Sequence, residues 1–371
     1  MIFIIAIISL LYYTIIVFFI TGFNNIAITN NHTIKPQHTF SIIIPFRNEA
    51  KNLPILLSSL SNLNYPSHLY EILLVNDESE DNYEQIISSF NNLNLRIINS
   101  ERQTISPKKD AINTAIKSSK HNWIVTTDAD CEVPPNWLEL FNQIIVEKEV
   151  LFISAPVKFI EQNSFLCHFQ NLNFISLIGS TIGSFGMQNP IMCNGANLCY
   201  SKEVFLKING FKGNSTIASG DDVFLMEKMN SLFPKKTYFL KSKEVIVKTK
   251  AEKNLVNFYN QQVRWAGKST AYNSVFSKIV GISVLLINVL IISLIVASIL
   301  NPIYWKILIV IFSLKLFIDF ILINKTAEFL NNTSSLKYYL ITSIFYPFFI
   351  AFTGISSLFK SYQWKGRKFK K

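Results

Sequence analysis

Residues 123–130 read Trp-Ile-Val-Thr-Thr-Asp-Ala-Asp, a short apolar run that ends in two carboxylates, Asp128 and Asp130. The run is short and rich in β-branched residues, which predicts a buried strand. Alternate residues of an extended chain point to the same side, so the two carboxylates would face one way. Such a pair suits Mg²⁺ or Mn²⁺ shared with a diphosphate. Taken alone, the stretch is equally compatible with an exposed acidic turn.

On both sides of this stretch, the sequence alternates between apolar runs and segments with helical patterning. Four further short apolar runs predict strands at residues 40–45, 71–75, 95–98 and 150–154, in addition to 123–127. Segments with helical patterning lie between them, at residues 49–63, 83–93, 108–118 and 136–148. Strands that alternate with helices predict an α/β domain with a mostly parallel sheet.

Polar residues follow three of the predicted strands. Residues 46–49 are Phe-Arg-Asn-Glu, residues 76–79 are Asn-Asp-Glu-Ser, and Asp128 and Asp130 follow the third strand. Ligands of open parallel sheets bind beyond the carboxyl ends of the strands, so these residues would line one crevice. The sequence contains neither GxxxxGK[ST] nor GxGxxG, which excludes a P-loop and a dinucleotide-binding turn.

Three more polar groups carry both a functional and a structural interpretation. Asp77 would bind a base or ribose, or cap a helix. Lys108 and Lys109 open a predicted helix and would receive a phosphate there, or form a solvated pair. Asp221 and Asp222 precede an apolar run, where a carboxylate would serve as general base for an acceptor hydroxyl or as an N-cap.

The segment Gln261-Gln-Val-Arg264-Trp265 precedes a long uncharged stretch. On a helix, Gln261, Arg264 and Trp265 share one face. Arginine can clamp a phosphate and tryptophan can stack on a sugar or base. The alternative is an aromatic and basic belt of the kind found at membrane boundaries.

Both ends of the chain predict membrane segments. Residues 1–22 carry no charge and are long enough to span a bilayer core of about 30 Å. They lack the basic start and short apolar core of a cleaved signal peptide, which predicts an uncleaved anchor. Residues 279–360 contain further apolar stretches at 279–305, 307–323 and 338–359, which predict two or three crossings. Asn301-Pro302 predicts a tight turn that separates the first two of these segments.

Two features of the C-terminal region stand out. Lys315 and Asp319 are spaced to pair on one helix face inside an apolar stretch. Pro347 and Gly354 interrupt the last stretch, and the tail 361–371 is basic. Three crossings would place this tail outside, against the positive-inside rule. We therefore expect either a violation of the rule or a last segment that does not cross, and slightly favour the second.

Charge is distributed unevenly along the 371 residues, whose formal net charge is +11. Residues 36–234 hold 14 basic and 20 acidic side chains, residues 235–270 hold nine and two, and residues 271–371 hold 11 and two. The positive charge thus adjoins the membrane segments, where anionic lipid attracts it by about 1 kcal/mol per side chain. No nucleic-acid-binding motif accompanies it, so nucleic acid is not an expected partner.

The four cysteines have no CxxC pairing, and the five histidines have no ligand-like spacing near them. We therefore predict free thiols in a reducing compartment instead of a zinc site or disulfides.

Taken together, these motifs resemble those of the membrane-bound branch of glycosyltransferase family 2, enzymes of the GT-A fold that include cellulose, chitin and hyaluronan synthases and ceramide glucosyltransferase. The stretches that carry the resemblance are FSIIIPFRNEAKNL, VNDES, PKKDAIN, TTDAD, SGDDVFL and QQVRW. The resemblance covers about residues 38–270 and implies a GT-A domain at 36–270.

The resemblance also implies roles for individual residues. Nucleotide-sugar binding would fall to Pro45, Arg47, Glu49, Asp77, Lys108, Asp128, Gln261, Arg264 and Trp265. Asp130 and Asp128 would hold the metal, with Asp130 the direct ligand. Asp222 would be the catalytic base and Asp221 its support. Two positions depart from the family pattern: Pro107 stands where glycine is usual, and Asp221 stands where glutamate is usual.

The implied activity is inverting transfer of a hexose from a nucleotide diphosphate sugar, a UDP-sugar first of all, to a lipid-linked or polysaccharide acceptor. Mg²⁺ or Mn²⁺ would be the cofactor, and the protein would sit in the plasma (inner) membrane with its catalytic domain in the cytoplasm. The alternatives are a processive polysaccharide synthase, a membrane-tethered nucleotidyl- or phosphotransferase, and a non-enzymatic scaffold.

Overall fold

A computed structural model describes residues 2–32, 34–214, 219–269, 271–359, 362–364 and 367–369. The remaining residues of the predicted basic tail 361–371 lie outside the described part of the chain. The chain divides into two compact units. The sheet unit comprises Ala27–Ile160 and Met192–Lys250, and the helix unit comprises Met1–Ile26, Glu161–Ile191 and Ala251–Lys371.

The elements are numbered in chain order. The strands are β1 (Phe40–Phe46), β2 (Tyr70–Asn76), β3 (Leu95–Asn99), β4 (Trp123–Thr126), β5 (Phe152–Ser154), β6 (Val157–Phe159), β7 (Leu198–Ser201), β8 (Thr237–Phe239), β9 (Val247–Thr249), β10 (Tyr362–Trp364) and β11 (Arg367–Phe369). The helices are α1 (Ile2–Asn25), α2 (Leu53–Ser61), α3 (Tyr83–Ser88), α4 (Pro107–Ser118), α5 (Trp137–Glu147), α6 (Phe165–Gly186), α7 (Lys202–Lys207), α8 (Asp221–Leu232), α9 (Leu255–Ser269), α10 (Val275–Leu300), α11 (Ile303–Phe329) and α12 (Tyr339–Phe359).

The sheet unit is built on a seven-stranded sheet in the order β3-β2-β1-β4-β7-β5-β8. The strands β3, β2, β1 and β4 are mutually parallel. β7 runs antiparallel to both β4 and β5, and β8 is parallel to β5. The central strands are buried on both faces, as expected for a sheet covered by helices. The predicted α/β class with a mostly parallel sheet is confirmed.

The predicted strands are confirmed to within one or two residues, but two predicted helices are shorter than expected. α2 begins at Leu53 instead of residue 49, because residues 49–52 form a turn in which the Glu49 carbonyl accepts from the amides of Asn52 and Leu53. Asn48 before this turn has a left-handed backbone, φ 54°. α3 ends at Ser88 instead of residue 93, where the chain turns towards β3.

In the helix unit, four helices of the described residues are long and apolar enough to cross a membrane: Ile2–Asn25, Val275–Leu300, Ile303–Phe329 and Ser334–Phe359. The turn predicted at Asn301-Pro302 is confirmed, because α10 ends at Leu300 and α11 begins at Ile303. The expected interruption at Pro347 is wrong, since α12 continues through it.

Helix α6 was not anticipated from the sequence, and it packs directly against α1. A Cβ atom added to Gly22 would lie 1.9 Å from the carbonyl oxygen of Gly183, and one added to Gly186 would lie 1.9 Å from that of Gly22. The two backbones therefore touch, as they do where small residues face each other in membrane helix pairs. Because α6 and α9 group with the apolar helices, the compact units cut across the predicted interval 36–270.

Candidate active site

The candidate site lies at the carboxyl edge of the parallel strands. β1 pairs with β2 on one side and with β4 on the other, so the strand order reverses between β1 and β4. Ligands of open α/β sheets bind at such a switch point. The loops after β1, β2 and β4 all leave the sheet at this edge, and they carry five of the predicted site residues: Arg47, Glu49, Asp77, Asp128 and Asp130.

On the β1–β2 side, two arginines surround Asp77. The Nη1 atom of Arg47 donates to the Asp77 carbonyl oxygen at 2.9 Å, and the Arg102 guanidinium pairs with the buried Asp77 carboxylate. The interpretation of Asp77 as a helix cap is wrong, since Asn82 occupies the N-cap of α3. Arg102 was not singled out from the sequence, because no motif marks the loop after β3.

The loop after β1 is tied to the loop after β2. The Asn48 amide donates to the Ser79 hydroxyl at 3.0 Å, and the Glu80 amide donates to the Asn48 side-chain oxygen at 2.8 Å. Glu49 is buried and accepts a hydrogen bond from the Asn52 side chain. Pro45 lies in β1, next to the end of the strand. The structure therefore brings Pro45, Arg47, Glu49 and Asp77 to one edge.

Lys108 connects the β4 loop with helix α8. Its Nζ atom lies 2.6 Å from Asp128 Oδ1 and 3.6 Å from Asp221 Oδ2. Burial lowers the pKa of Lys108, but the carboxylates of Asp128, Asp221 and Asp222 outweigh burial and raise it above the usual lysine value. The ammonium group therefore stays charged at neutral pH.

The interpretation of Lys108 and Lys109 as a solvated pair is wrong for Lys109. Its side chain is 1% exposed, its Nζ atom donates to the Asn214 carbonyl at 2.7 Å, and it lies 5.2 Å from the Phe224 ring centroid. Lys109 thus attaches the first turn of α4 to the segment that leads towards α8.

Gly195 is a site residue without a signal in the sequence. Its amide donates to Asp222 Oδ2 at 3.2 Å, and its carbonyl accepts from the Thr126 hydroxyl at 2.8 Å. A Cβ atom there would lie 3.2 Å from Lys108 Nζ. Glycine is therefore the residue that lets this backbone approach both Lys108 and Asp222.

The start of α8 presents both Asp221 and Asp222. Gly220 occupies the N-cap with a left-handed backbone, φ 85°, so the interpretation of either aspartate as the N-cap is wrong. Asp222 accepts from the Gly195 and Val223 amides, which aims its carboxylate at the edge that also holds Lys108.

Asp128 and Asp130 lie in the turn that follows β4. Among the residues that the structure describes, no three histidine, cysteine or acidic side chains converge as a metal site. One or two carboxylates, completed by substrate phosphates and water, are the usual protein ligands of Mg²⁺. The donor set therefore fits a hard divalent cation that arrives with a diphosphate.

Gln261, Arg264 and Trp265 lie on α9, in the helix unit. The Gln261 side-chain amide donates to Glu252 Oε1 at 3.2 Å, and the Trp265 ring lies 6.2 Å from that of Phe174 on α6. Burial raises the pKa of Glu252, and the charge of Arg264 opposes that rise. The other nine predicted site residues belong to the sheet unit.

Comparison with known proteins identifies the domain. Residues 41–208 match the model of the family described as Glycosyl transferase family 2. The chain therefore contains a family 2 glycosyltransferase domain, which confirms the resemblance seen in the motifs.

Three curated relatives have matching stretches. Glycosyltransferase AglE of Haloferax volcanii is 32% identical over 33% of this chain and 40% of its own length. Chondroitin synthase of Escherichia coli is 28% identical over 33% of this chain and 18% of its own. Poly-beta-1,6-N-acetyl-D-glucosamine synthase of Staphylococcus epidermidis is 24% identical over 63% and 56%. The matches thus span less than two thirds of each of these relatives.

One solved structure resembles nearly the whole chain. Mannosyltransferase PcManGT from Pyrobaculum calidifontis, in complex with GDP-Man and Mn²⁺, has a TM-score of 0.58 and 16% identity over 95% of both chains. At this identity the likeness establishes the fold.

Proposed function

We propose that this protein is a membrane-bound inverting hexosyltransferase that moves a sugar from a nucleotide diphosphate sugar to a lipid-linked or glycan hydroxyl. The observation that carries the proposal is the position of the Lys108 ammonium, within 4 Å of both Asp128 and Asp221. This contact joins the predicted metal-binding pair of Asp128 and Asp130 to α8, the helix that bears the predicted base.

In the proposed reaction, Asp222 removes the proton of the acceptor hydroxyl. The hydroxyl oxygen attacks the anomeric carbon as the bond to the nucleotide diphosphate breaks, which inverts the configuration without a covalent enzyme intermediate. The Gly195 amide holds one carboxylate oxygen of Asp222, and Asp221 supports the base by its proximity to Lys108.

The leaving diphosphate is stabilised by positive charge, which is often the largest catalytic contribution. Lys108 supplies one such charge from the chain itself. A divalent cation, Mg²⁺ or Mn²⁺, held by Asp130 and Asp128, would supply more when bound. The presence of Mn²⁺ with GDP-Man in PcManGT supports this assignment.

For the nucleotide, we assign Pro45, Arg47, Glu49 and Asp77 to the pocket and a UDP-sugar as the first donor to test. Arg102 pairs with Asp77 and holds its carboxylate at the pocket edge. From the motif on α9, we assign Gln261, Arg264 and Trp265 to donor binding as well, with Arg264 on the diphosphate.

A processive polysaccharide synthase is the second candidate. The names of the E. coli and S. epidermidis relatives favour it. The length of the product distinguishes the two candidates.

For the topology, we propose that α1, α10 and α11 cross the plasma (inner) membrane and that the catalytic domain, residues 36–270, faces the cytoplasm. The second half of α12 packs on α9, with ring centroids of Phe258 and Phe349 4.9 Å apart and those of Tyr259 and Phe352 5.3 Å apart. Since α9 follows the sheet unit in the chain, this packing supports an α12 that enters the membrane without crossing it and ends on the cytoplasmic side. Labelling of a cysteine placed at residue 363 in intact cells tests it, because an external tail would react.

The decisive experiment mixes the purified full chain with UDP- and GDP-sugars, Mg²⁺ or Mn²⁺, and membrane lipid extract. We expect release of the nucleotide diphosphate with one donor, and an increase in that release when the lipid extract is added. A folded protein that releases no nucleotide from any donor would overturn the proposal.

A further inference from the structure

A buried ion pair lies in the middle of the apolar helix α11. Lys315 Nζ is 2.5 Å from Asp319 Oδ2, and the Tyr12 hydroxyl on α1 donates to Asp319 Oδ1 at 2.8 Å. The Lys315 ammonium also lies over two aromatic rings, 5.3 Å from the Tyr12 centroid and 5.6 Å from that of Tyr346 on α12. Ionisable groups in membrane segments are costly, and those that occur usually serve a function.

Polar contacts continue from this pair to α9. The Tyr346 hydroxyl donates to Asn173 Oδ1 on α6 at 3.2 Å. Asn173 Nδ2 in turn donates to Gln262 Oε1 on α9, also at 3.2 Å. Asn173 therefore uses both ends of its amide, and the contacts pass through α11, α12, α6 and α9 without leaving the helix unit.

Helix α6 also holds the start of α9. Gln170 Nε2 donates to the Glu252 carbonyl at 2.9 Å, and its Oε1 accepts from the Glu252 amide at 2.9 Å. Further along α9, Asn173 contacts Gln262, and Phe174 lies near Trp265 of the predicted binding motif. Helix α6 therefore contacts α9 both before its first turn and along its length. The position of α6 therefore determines that of α9.

We propose that Lys315, Asp319, Tyr346 and Asn173 form a polar relay that positions α9, and with it Arg264, from within the membrane segments. These are positioning residues, because they would act on donor binding through α9. The effect on catalysis rests on the function proposed for this protein, whereas the effect on α9 itself does not.

Two tyrosines of α12 provide a matched pair of variants. Tyr346→Phe removes the hydroxyl that reaches Asn173. Tyr339→Phe, one heptad earlier, removes a hydroxyl that donates to the Leu316 carbonyl of α11 at 2.7 Å and does not belong to the relay. Each change removes one tyrosine hydroxyl and its hydrogen bonds from the same helix, so a purely structural role predicts similar effects.

The first measurement is deuterium exchange of the backbone amides of residues 255–269 in the full chain in detergent. We expect faster exchange there in Tyr346→Phe and in Asn173→Leu, and exchange like the wild type in Tyr339→Phe. Unchanged exchange in Tyr346→Phe, or an equal increase in Tyr339→Phe, would overturn the relay. This result does not depend on a donor having been found.

The second measurement is a double-mutant cycle on kcat/KM for the donor. Tyr346→Phe should lower kcat/KM by roughly 2- to 30-fold in the wild type and cause no further loss in the Arg264→Ala background. An additive loss would show that Tyr346 acts by another route and would overturn the assigned link to Arg264. A chain without glycosyl transfer would refute the proposed function but leave the exchange result to decide the relay.

Discussion

Lys108 in the sheet unit and Lys315 in the helix unit each lie beside a carboxylate, but their surroundings differ. Lys108 faces Asp128 and Asp221 together, and the Asp128 side chain is 38% exposed. Lys315 faces Asp319 with the rings of Tyr12 and Tyr346 around its ammonium, and both members of this pair are less than 15% exposed.

Lysine and aspartate therefore have different roles in the two units. At Lys108 one cation lies near two carboxylates, one of them within reach of solvent, so a cation or a diphosphate that carries one can be accommodated. At Lys315 the charges balance and the aromatic rings close the surroundings, so the pair holds helices together. Variants in each cluster test whether the one around Lys108 is reactive and whether the one around Lys315 is closed to solvent.

The largest effect is expected at the base. Asp222→Asn should lower kcat by about 10²- to 10⁴-fold, because the acceptor hydroxyl loses the base that accepts its proton. Donor binding should survive, as measured by calorimetry with the intact donor. Glu203→Gln, which changes an exposed carboxylate on α7, is the control and should leave both unchanged. Full turnover in Asp222→Asn would show that the cluster around Lys108 does not take part in the proposed mechanism.

The closed pair should respond through stability. Lys315→Met leaves the Asp319 charge without its cation and should lower the free energy of unfolding by about 3–5 kcal/mol. Lys315→Met combined with Asp319→Leu should recover most of that loss, because no charge remains to be compensated. Thermal unfolding in detergent measures both. A double variant no more stable than the single one would contradict the closed character of the pair.

A smaller effect is expected at the metal. Asp130→Asn should lower kcat/KM by roughly 10²-fold, since charge on the leaving group is less well stabilised. Titration of Mn²⁺ should show weaker activation, and EDTA should abolish donor binding by the wild type. Glu132→Gln, whose carboxylate pairs with Lys248 at 2.7 Å, is the neighbouring control. Donor binding that persists undiminished in EDTA would refute the metal assignment.

The smallest effect is expected at Glu71 in β2, whose burial and hydrogen bonds act on its pKa in opposite directions. Burial raises the pKa of Glu71, but hydrogen bonds from the Lys120 amide, the Ser41 hydroxyl and Arg96 outweigh it, so the pKa is lowered overall. A lowered folded pKa gives stability that is present above the unfolded value of about 4.3 and is lost as pH falls through the folded value.

Glu71→Gln should therefore remove part of the loss of stability that the wild type shows on acidification below about pH 5. Unfolding by denaturant at several pH values measures it. Glu101→Gln, whose partner Lys117 lies 3.5 Å away on the surface, should change little. Identical pH dependence in Glu71→Gln and the wild type would contradict the stated origin of the shift.

The sequence predicts the parallel half of the sheet well, because its four strands are apolar runs and three of them are followed by polar residues at the same edge. It also predicts that Asp128 and Asp221 act in the same site, through the ordered family motifs. The pairing of Lys315 with Asp319 follows from their spacing on one helix and is confirmed.

What the sequence does not predict depends on contacts between distant residues. Gly195 and Arg102 enter the site through loops that lack a motif, and the burial of Lys109 depends on Asn214. Helix α6 contains buried polar residues such as Asn171 and Asn173, so its composition does not mark it as a partner of apolar helices. Their partners lie far along the chain, beyond the reach of local patterns.

The contact between Gly22 and Gly183 has a consequence for synthesis on the ribosome. At about 5–20 residues per second, the glycine face of α1 precedes that of α6 by roughly 10–30 s. During that interval α1 is in the membrane while the strands of the sheet unit emerge. Helix α1 also contacts α10 and α11, so nascent chains that stop before residue 329 should expose part of α1 to the insertion and quality-control machinery of the cell.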